Sequence, residues 1–302
     1  MPPFRGSNVS AAHSAGRVLP ADAYQRTRGL VPASIEAGGD MALDAGGDWV
    51  YFRTGAREAG RHLAAGVKPE PAFGPRGMGA GPGGIARMNL RTGETKHVVS
   101  VPFQVGHIQA NLWNPGEIVF CWETGGKSPQ RTWTVRADGS GLRPLYPEAA
   151  YEWVTHEAVI PKDEVAMAIV GHRTGAAKDS DWGAAGTREK PTGLAIVNLR
   201  TREMTIAGQT PLGSGLWHVH GSSDGRFAVG DDFQRNVWLI DRRTHEMMLL
   251  TTGHKTTAGD HPHPTFSADG TRIEIQSAML SDDGRTMNIC IVPVPESWLK
   301  RP

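Results

Sequence analysis

Two cysteines in 302 residues, Cys121 and Cys290, are too few for a disulfide framework or a zinc-finger arrangement. Each sits in an apolar, strand-like run, "IVFCWE" and "MNICIVPV", where a thiol reads as a small buried hydrophobe. Excess charge of one sign is missing as well: 32 Lys and Arg against 31 Asp and Glu leave a formal net charge of +1. No global field draws the chain to nucleic acid or to an acidic polymer, so any anion selectivity must be local. No run approaches the roughly 18 apolar residues of a membrane helix. The opening "MPPFRGSNVSAAHSAGRVLP" lacks an apolar stretch of the signal-peptide kind, so neither membrane nor leader is expected. A long apolar stripe of helical period is also absent.

What the sequence does have is turns. Glycine (38) and proline (21) are abundant, and 39% of residues are hydrophobic, enough for a sizeable core built from short strands. Two hairpin types alternate. The first runs strand, Gly/Asp/Asn turn, apolar strand: "MALDAGGDWVYFRT", "HIQANLWNPGEIVFCWE", "HEAVIPKDEVAMAIVG", "HVHGSSDGRFAVGDD" and "HPTFSADGTRIEIQS". The second alternates around a short polar turn: "IARMNLRTGETKHVV", "TWTVRADGSGLRPLY", "LAIVNLRTREMTIAG", "VWLIDRRTHEMMLLT" and a weaker "NICIVPVPESWLK". One hairpin of each type makes a four-stranded antiparallel unit, and five such units follow from about Met41. The pattern predicts an all-β chain, a single β-propeller of four-stranded blades over residues 1–302, with 1–40 as an arm or partial blade. A β-sandwich plus linker fits the repeat spacing less well. "GAREAGRHLAAGVKPEPAFGPRGMGAGPGG" and "RTGAAKDSDWGAAGTREKPTG" read as long inserted surface loops.

Histidine recurs with the blades. His107, His156, His218 and His263 follow one another at intervals of 49, 62 and 45 residues. His156, His218 and His263 each stand six residues before a turn residue, Lys162, Asp224 and Asp269, and His107 holds the matching place before "NPG". Equivalent positions in successive blades surround one axis, so repetition turns one residue type into a ring at the channel mouth. Neutral imidazoles suit a divalent transition metal. In "HPH", His261 and His263 would share a face of an ideal strand, as would His218 and His220. Gln109 shares parity with His107, and Gln130 and Arg131 open the next hairpin. Position alone leaves Arg131 either a surface arginine or a site residue. Glu123 and Glu157 are candidates to orient a histidine or arginine. His13, His62, His97, His172, His245 and His254 lack the blade register and read as surface or loop residues; His172 also stays a substrate-contact candidate.

"VGHIQA…NPGEIVFCWE", "QRTW", "EWVTHEA", "REKPTG.AIVNLRT", "HVHGSSDGRFAVGDD" and "HPHPTFSADG" together resemble the oligogalacturonate lyase family of polysaccharide lyases. The likeness spans about residues 100–275 in order and is weaker over 41–100. It implies a propeller of up to seven blades, a manganese ion at the channel mouth and β-elimination of short pectin oligomers. It further implies His218, His261 and His263 as metal ligands, His156 as general base and Arg131 as partner of the substrate carboxylate. His107, Gln109, Gln130 and His172 would contact an acidic oligosaccharide, and the compartment would be the cytoplasm. One position departs: the family's ligating glutamine, three residues before "HPH", is Ala258. Two other readings stay open, a non-catalytic propeller that binds a partner and a lyase or hydrolase for another uronate-linked glycan.

Overall fold

The computed structural model describes residues 31–124, 128–149, 152–161, 163–170, 192–209 and 215–301. Its sheets are five antiparallel meanders, the blade architecture expected from the hairpins. The first contains β1 (Met41–Leu43), β2 (Trp49–Thr54), β3 (Ala80–Asn89) and β4 (Thr95–Phe103). The second contains β5 (Val105–Ala110), β6 (Glu117–Trp122), β7 (Thr132–Arg136) and β8 (Arg143–Pro144). The third contains β9 (Val154–Ile160), β10 (Glu164–Val170), β11 (Thr192–Asn198) and β12 (Met204–Gln209). The fourth contains β13 (Leu216–Gly221), β14 (Phe227–Asp232), β15 (Val237–Asp241) and β16 (Met247–Thr251). The fifth has three strands, β17 (Thr265–Phe266), β18 (Arg272–Ser277) and β19 (Asn288–Pro293). The hairpins turn where the sequence supplies glycine: Gly225 (φ 73°) between β13 and β14, and Gly270 (φ 70°) between β17 and β18, occupy left-handed backbone.

The residues group into two compact units that divide between Glu148 and Ala149. In the first, β2, β3 and β4 pack on β5 and β6 through Tyr51, Ile85, Phe103, Val105, Ile118 and Phe120. In the second, one core lies between the third and fourth sheets (Ile160, Leu194, Ile196, Leu216, Ile240) and another between the fourth and fifth (Phe227, Leu239, Phe266, Ile273, Trp298). Small residues let these faces approach: a Cβ at Gly221 of β13 would lie 2.7 Å from Ile160 of β9.

Three expectations change. The insertion after β2 is not all loop: Ala56–His62 forms a helix, and fully buried Ala59 docks its turn on β3. The fifth sheet ends in a short helix, Glu296–Leu299, and not in a fourth strand. Pro293 and Pro295 have no N–H to continue a ladder, which explains the stop. Cys121 is fully buried, but Cys290 is only half-buried, because β19 alternates half-buried and exposed positions and leaves Ile289 and Ile291 exposed. Among the described residues no helix is long and apolar enough to cross a membrane.

Candidate functional site

Three of the four recurring histidines, His107, His156 and His218, sit on β-bulges, and His263 lies in the stretch before β17. In β9, Glu157 pairs with Met167 and Thr155 with the next residue, Ala168, so His156 is extra and has no ladder partner. In β5, Gly106 pairs with Cys121 and Gln109 with Val119, so His107 and Ile108 stand against the single residue Phe120. In β13, Leu216 pairs with Asp232 and Val219 with Gly230, so Trp217 and His218 stand against Asp231 alone. His107 (φ 48°), His156 (φ 42°) and His263 (φ 49°) are left-handed, a conformation histidine enters more readily than most side chains. Bulges re-aim side chains, and here they override the two-residue alternation. The shared faces expected for His107 with Gln109, His218 with His220, and His261 with His263 therefore do not follow from strand parity.

In the second unit the rings of His156, His218, His261 and His263 come together. The His218 centroid is 4.1 Å from His156, 3.4 Å from His263 and 5.7 Å from His261. Trp217 walls the group, 5.2 Å from His156 and 5.9 Å from His261. His220 is engaged elsewhere: its Nδ1 accepts the Phe266 N–H at 3.3 Å.

Two carboxylates hold this cluster. Asp231, fully buried on β14, accepts the His218 backbone N–H at 2.8 Å, ring Nδ1 at 3.0 Å and the His263 backbone N–H at 3.1 Å. His261 Nδ1 lies 3.9 Å from the same carboxylate and is a buried nitrogen without a hydrogen-bond partner. Asp260 accepts the His261 N–H at 2.8 Å and faces His263 Nε2 at 2.9 Å, while Gln276 Nε2 donates to its other oxygen at 3.2 Å. Burial opposes ionisation of both acids. The His218 contacts nevertheless hold Asp231 below the usual carboxylate range, and His263 with the His261 N–H does the same for Asp260. Burial likewise pushes His218 and His261 down, against the pull of Asp231, so both favour the neutral ring. Ala258 is buried beside Arg235, His254, Asp260 and Gln276, and its methyl offers no donor.

The first unit carries its own cluster. His107 Nε2 is 3.2 Å from Glu123 Oε2, and the Arg131 guanidinium is 3.6 Å from that oxygen and 3.4 Å from His107 Nδ1. Arg131 is 2% exposed, so the surface alternative is removed. Its backbone N–H is fixed by Glu148 at 2.9 Å. Gln130 contributes scaffolding: Nε2 donates to Thr132 O, Tyr146 O and Glu148, and Oε1 accepts the Glu148 N–H. Gln109 is buried on β5, and His172 lies outside the described residues.

Among the described residues two groups bring three donor side chains within 4.8 Å of one another, His107–Cys121–Glu123 and His218–Asp231–His261. Charge balance separates them. Glu123 already has a guanidinium beside it. Among the described residues the ion-pair partners of Asp231 are His218 and His261 alone, so a buried anion faces neutral rings. That deficit, with the unpartnered His261 Nδ1, fits a divalent cation. Asp231, Asp260 and Glu148 were not picked out by sequence patterning. The available signal for Asp231 was the pair of acids, Asp231 and Asp232, that ends an otherwise apolar strand, with Asp231 at the register where the second sheet has Phe120.

Bulged histidines on propeller-type blades, backed by carboxylates, form a candidate metal site. No family model matches the chain, and no curated protein matches it in sequence. Among solved structures it is similar to an oligogalacturonate lyase in complex with manganese, at TM-score 0.67 and 17% identity over 89% of this chain and 68% of that one. It is also similar to the oligogalacturonate lyase of Vibrio parahaemolyticus, at TM-score 0.64 and 18% identity over 89% of this chain and 68% of the other. At these identities the likeness is one of fold.

Proposed function

We propose that the protein is a metal-dependent lyase that cleaves short uronate-containing oligosaccharides by β-elimination, with oligogalacturonate the leading substrate and the cytoplasm its compartment. The observation that carries this reading is the gathering of His156, His218, His261 and His263 around buried Asp231. His218 offers Nε2, because Asp231 occupies Nδ1, and His261 offers its unpartnered Nδ1. His263, the third ligand that the resemblance implies, has Nε2 on Asp260 and stands outside the group of donors that lie within 4.8 Å of one another, with Nδ1 as its remaining nitrogen. Manganese is the favoured ion, being the metal of one similar structure. A bound dication would offset charge that grows on the uronate carboxylate.

The proton chemistry belongs to His156. Its Nδ1 is 2.7 Å from Thr155 Oγ1; with that nitrogen donating, Nε2 keeps its lone pair. In the proposed reaction Nε2 takes the C5 proton, the C5–H electrons form the C4–C5 double bond, and the C4–O bond breaks with its pair on the leaving oxygen. Arg131 is proposed as the carboxylate partner, exchanging its Glu123 contact for the substrate.

Incubation with oligogalacturonate, with and without Mn²⁺, tests the proposal. Ultraviolet absorbance of a 4,5-unsaturated product supports a lyase; new reducing ends without it indicate a hydrolase. A second reading, a binding propeller without turnover, draws on the already paired Arg131, the internal bonding of Gln130 and Ala258 at the glutamine position. Oligosaccharide binding without product would select it.

A further inference from the structure

We propose that Asp231 is the positioning residue and counter-charge of the metal centre. On this view it fixes His218 as the Nδ1–H tautomer, ties the β13 bulge to the HPH segment and sets a negative charge beside the ligands. The inference rests on the metal-centre reading above.

The geometry comes first. The bulge sets Trp217 and His218 against one residue of β14, and that residue is Asp231. Its carboxylate receives the backbone N–H and ring Nδ1 of His218 and the backbone N–H of His263. One side chain therefore joins β13, β14 and the stretch before β17. An ionised carboxylate only accepts, so the hydrogen of the ring contact belongs to His218 Nδ1, and the Nε2 lone pair is left for a cation. With three N–H donors already on its two oxygens, the carboxylate is better placed to orient a ligand than to be one.

Charge comes second. Asp231 is fully buried, and a buried carboxylate is costly unless a cation lies beside it, as a bound dication would. The arrangement also bears on Ala258. Where the resemblance implies a ligating glutamine, this chain has a methyl group. A carboxylate behind His218 makes the ring a stronger donor and offsets the lost ligand.

The test uses the full chain. In the metal-free wild type, ¹⁵N–¹H spectra of the histidine rings should show His218 protonated at Nδ1. In Asp231→Asn the amide can present N–H to that nitrogen, moving the ring proton to Nε2, and Mn²⁺ affinity measured by titration should fall about 10–100-fold at unchanged stoichiometry. A wild-type His218 protonated at Nε2 overturns the proposal, and this readout needs no variant to fold. So does a folded Asp231→Asn protein that binds Mn²⁺ as tightly as wild type. If the wild type binds no divalent metal, the metal-centre reading itself fails.

Discussion

Thr155 Oγ1 and His156 Nδ1 lie 2.7 Å apart, a side-chain contact between adjacent residues. Neighbours on a regular strand point to opposite faces, so this contact depends on the bulge and left-handed φ of His156. The threonine hydroxyl is thereby placed to select the tautomer of the proposed base. His156→Asn keeps a residue that tolerates this backbone and removes the base. Turnover should fall about 10²–10⁴-fold with Mn²⁺ binding unchanged, measured by product absorbance and metal titration. Thr155→Val should lose less, and Thr155→Ser should recover most of it.

Chelation should lower thermal stability as well as activity. A ligand bound only to the folded state at 100 times its Kd adds about 2.7 kcal/mol. Melting with EDTA and then with excess Mn²⁺ should show the loss and its return. His261→Ala should melt at the same temperature in both conditions.

The close contact of β13 with β9 predicts a steric penalty. The Cβ of Gly221→Ala would meet Cγ2 of Ile160 at 2.7 Å, in a core where the branched side chain has little room to yield. Urea unfolding should show a loss of about 1–3 kcal/mol. Unchanged stability would mean that the two strands separate freely.

His254 gives stability a pH dependence. It is buried, with Thr251 Oγ1 at 2.8 Å and Ser277 Oγ at 2.7 Å from its ring nitrogens. Burial holds its pKa below the usual imidazole range, with Asp231 opposing and Arg235 reinforcing the shift. The unfolded chain therefore takes up the proton first as pH falls. The contribution is fully present above about pH 6.5 and is lost progressively below it. The melting temperature should drop as pH falls from about 6.5 towards 5, and His254→Gln should flatten part of the slope.

Arg131→Ala should act locally and on turnover. It leaves Glu123 without its guanidinium and should cost about 1–3 kcal/mol in chemical denaturation. In the lyase assay KM should rise and kcat fall together, because the carboxylate charge grows toward the transition state. Arg131→Lys should restore charge but not the planar fork, and so recover only part.

The blades were legible because period-2 alternation and DG, GG and TG turns are local signals. Four of the five hairpin pairs read from sequence are four-stranded sheets, and the fifth keeps three strands. The histidine set was legible through blade register. Its actual aim was not, because a bulge is a property of two paired strands: whether His156 faces Glu157's side or the other depends on an offset between Met167 and Ala168. Asp231 was hidden for the same reason. It matters only once β14 is laid against the bulge of β13. The helix Ala56–His62 was masked by the Gly/Pro content of the segment around it, although "AREAGRH" has good helix formers and Glu58 pairs with Arg61 and His62.

The left-handed bulge separates what a blade must do to fold from what it presents. His107, on β5 opposite Phe120, and His156, the extra residue in the register of β9, share a backbone conformation while their surroundings differ. The residue at such a position is outside the ladder, so its replacement leaves the paired hydrogen bonds of the strand in place. A chain of this kind can exchange its reactive groups blade by blade, with asparagine or glycine as neutral stepping stones, while keeping one scaffold for successive substrates.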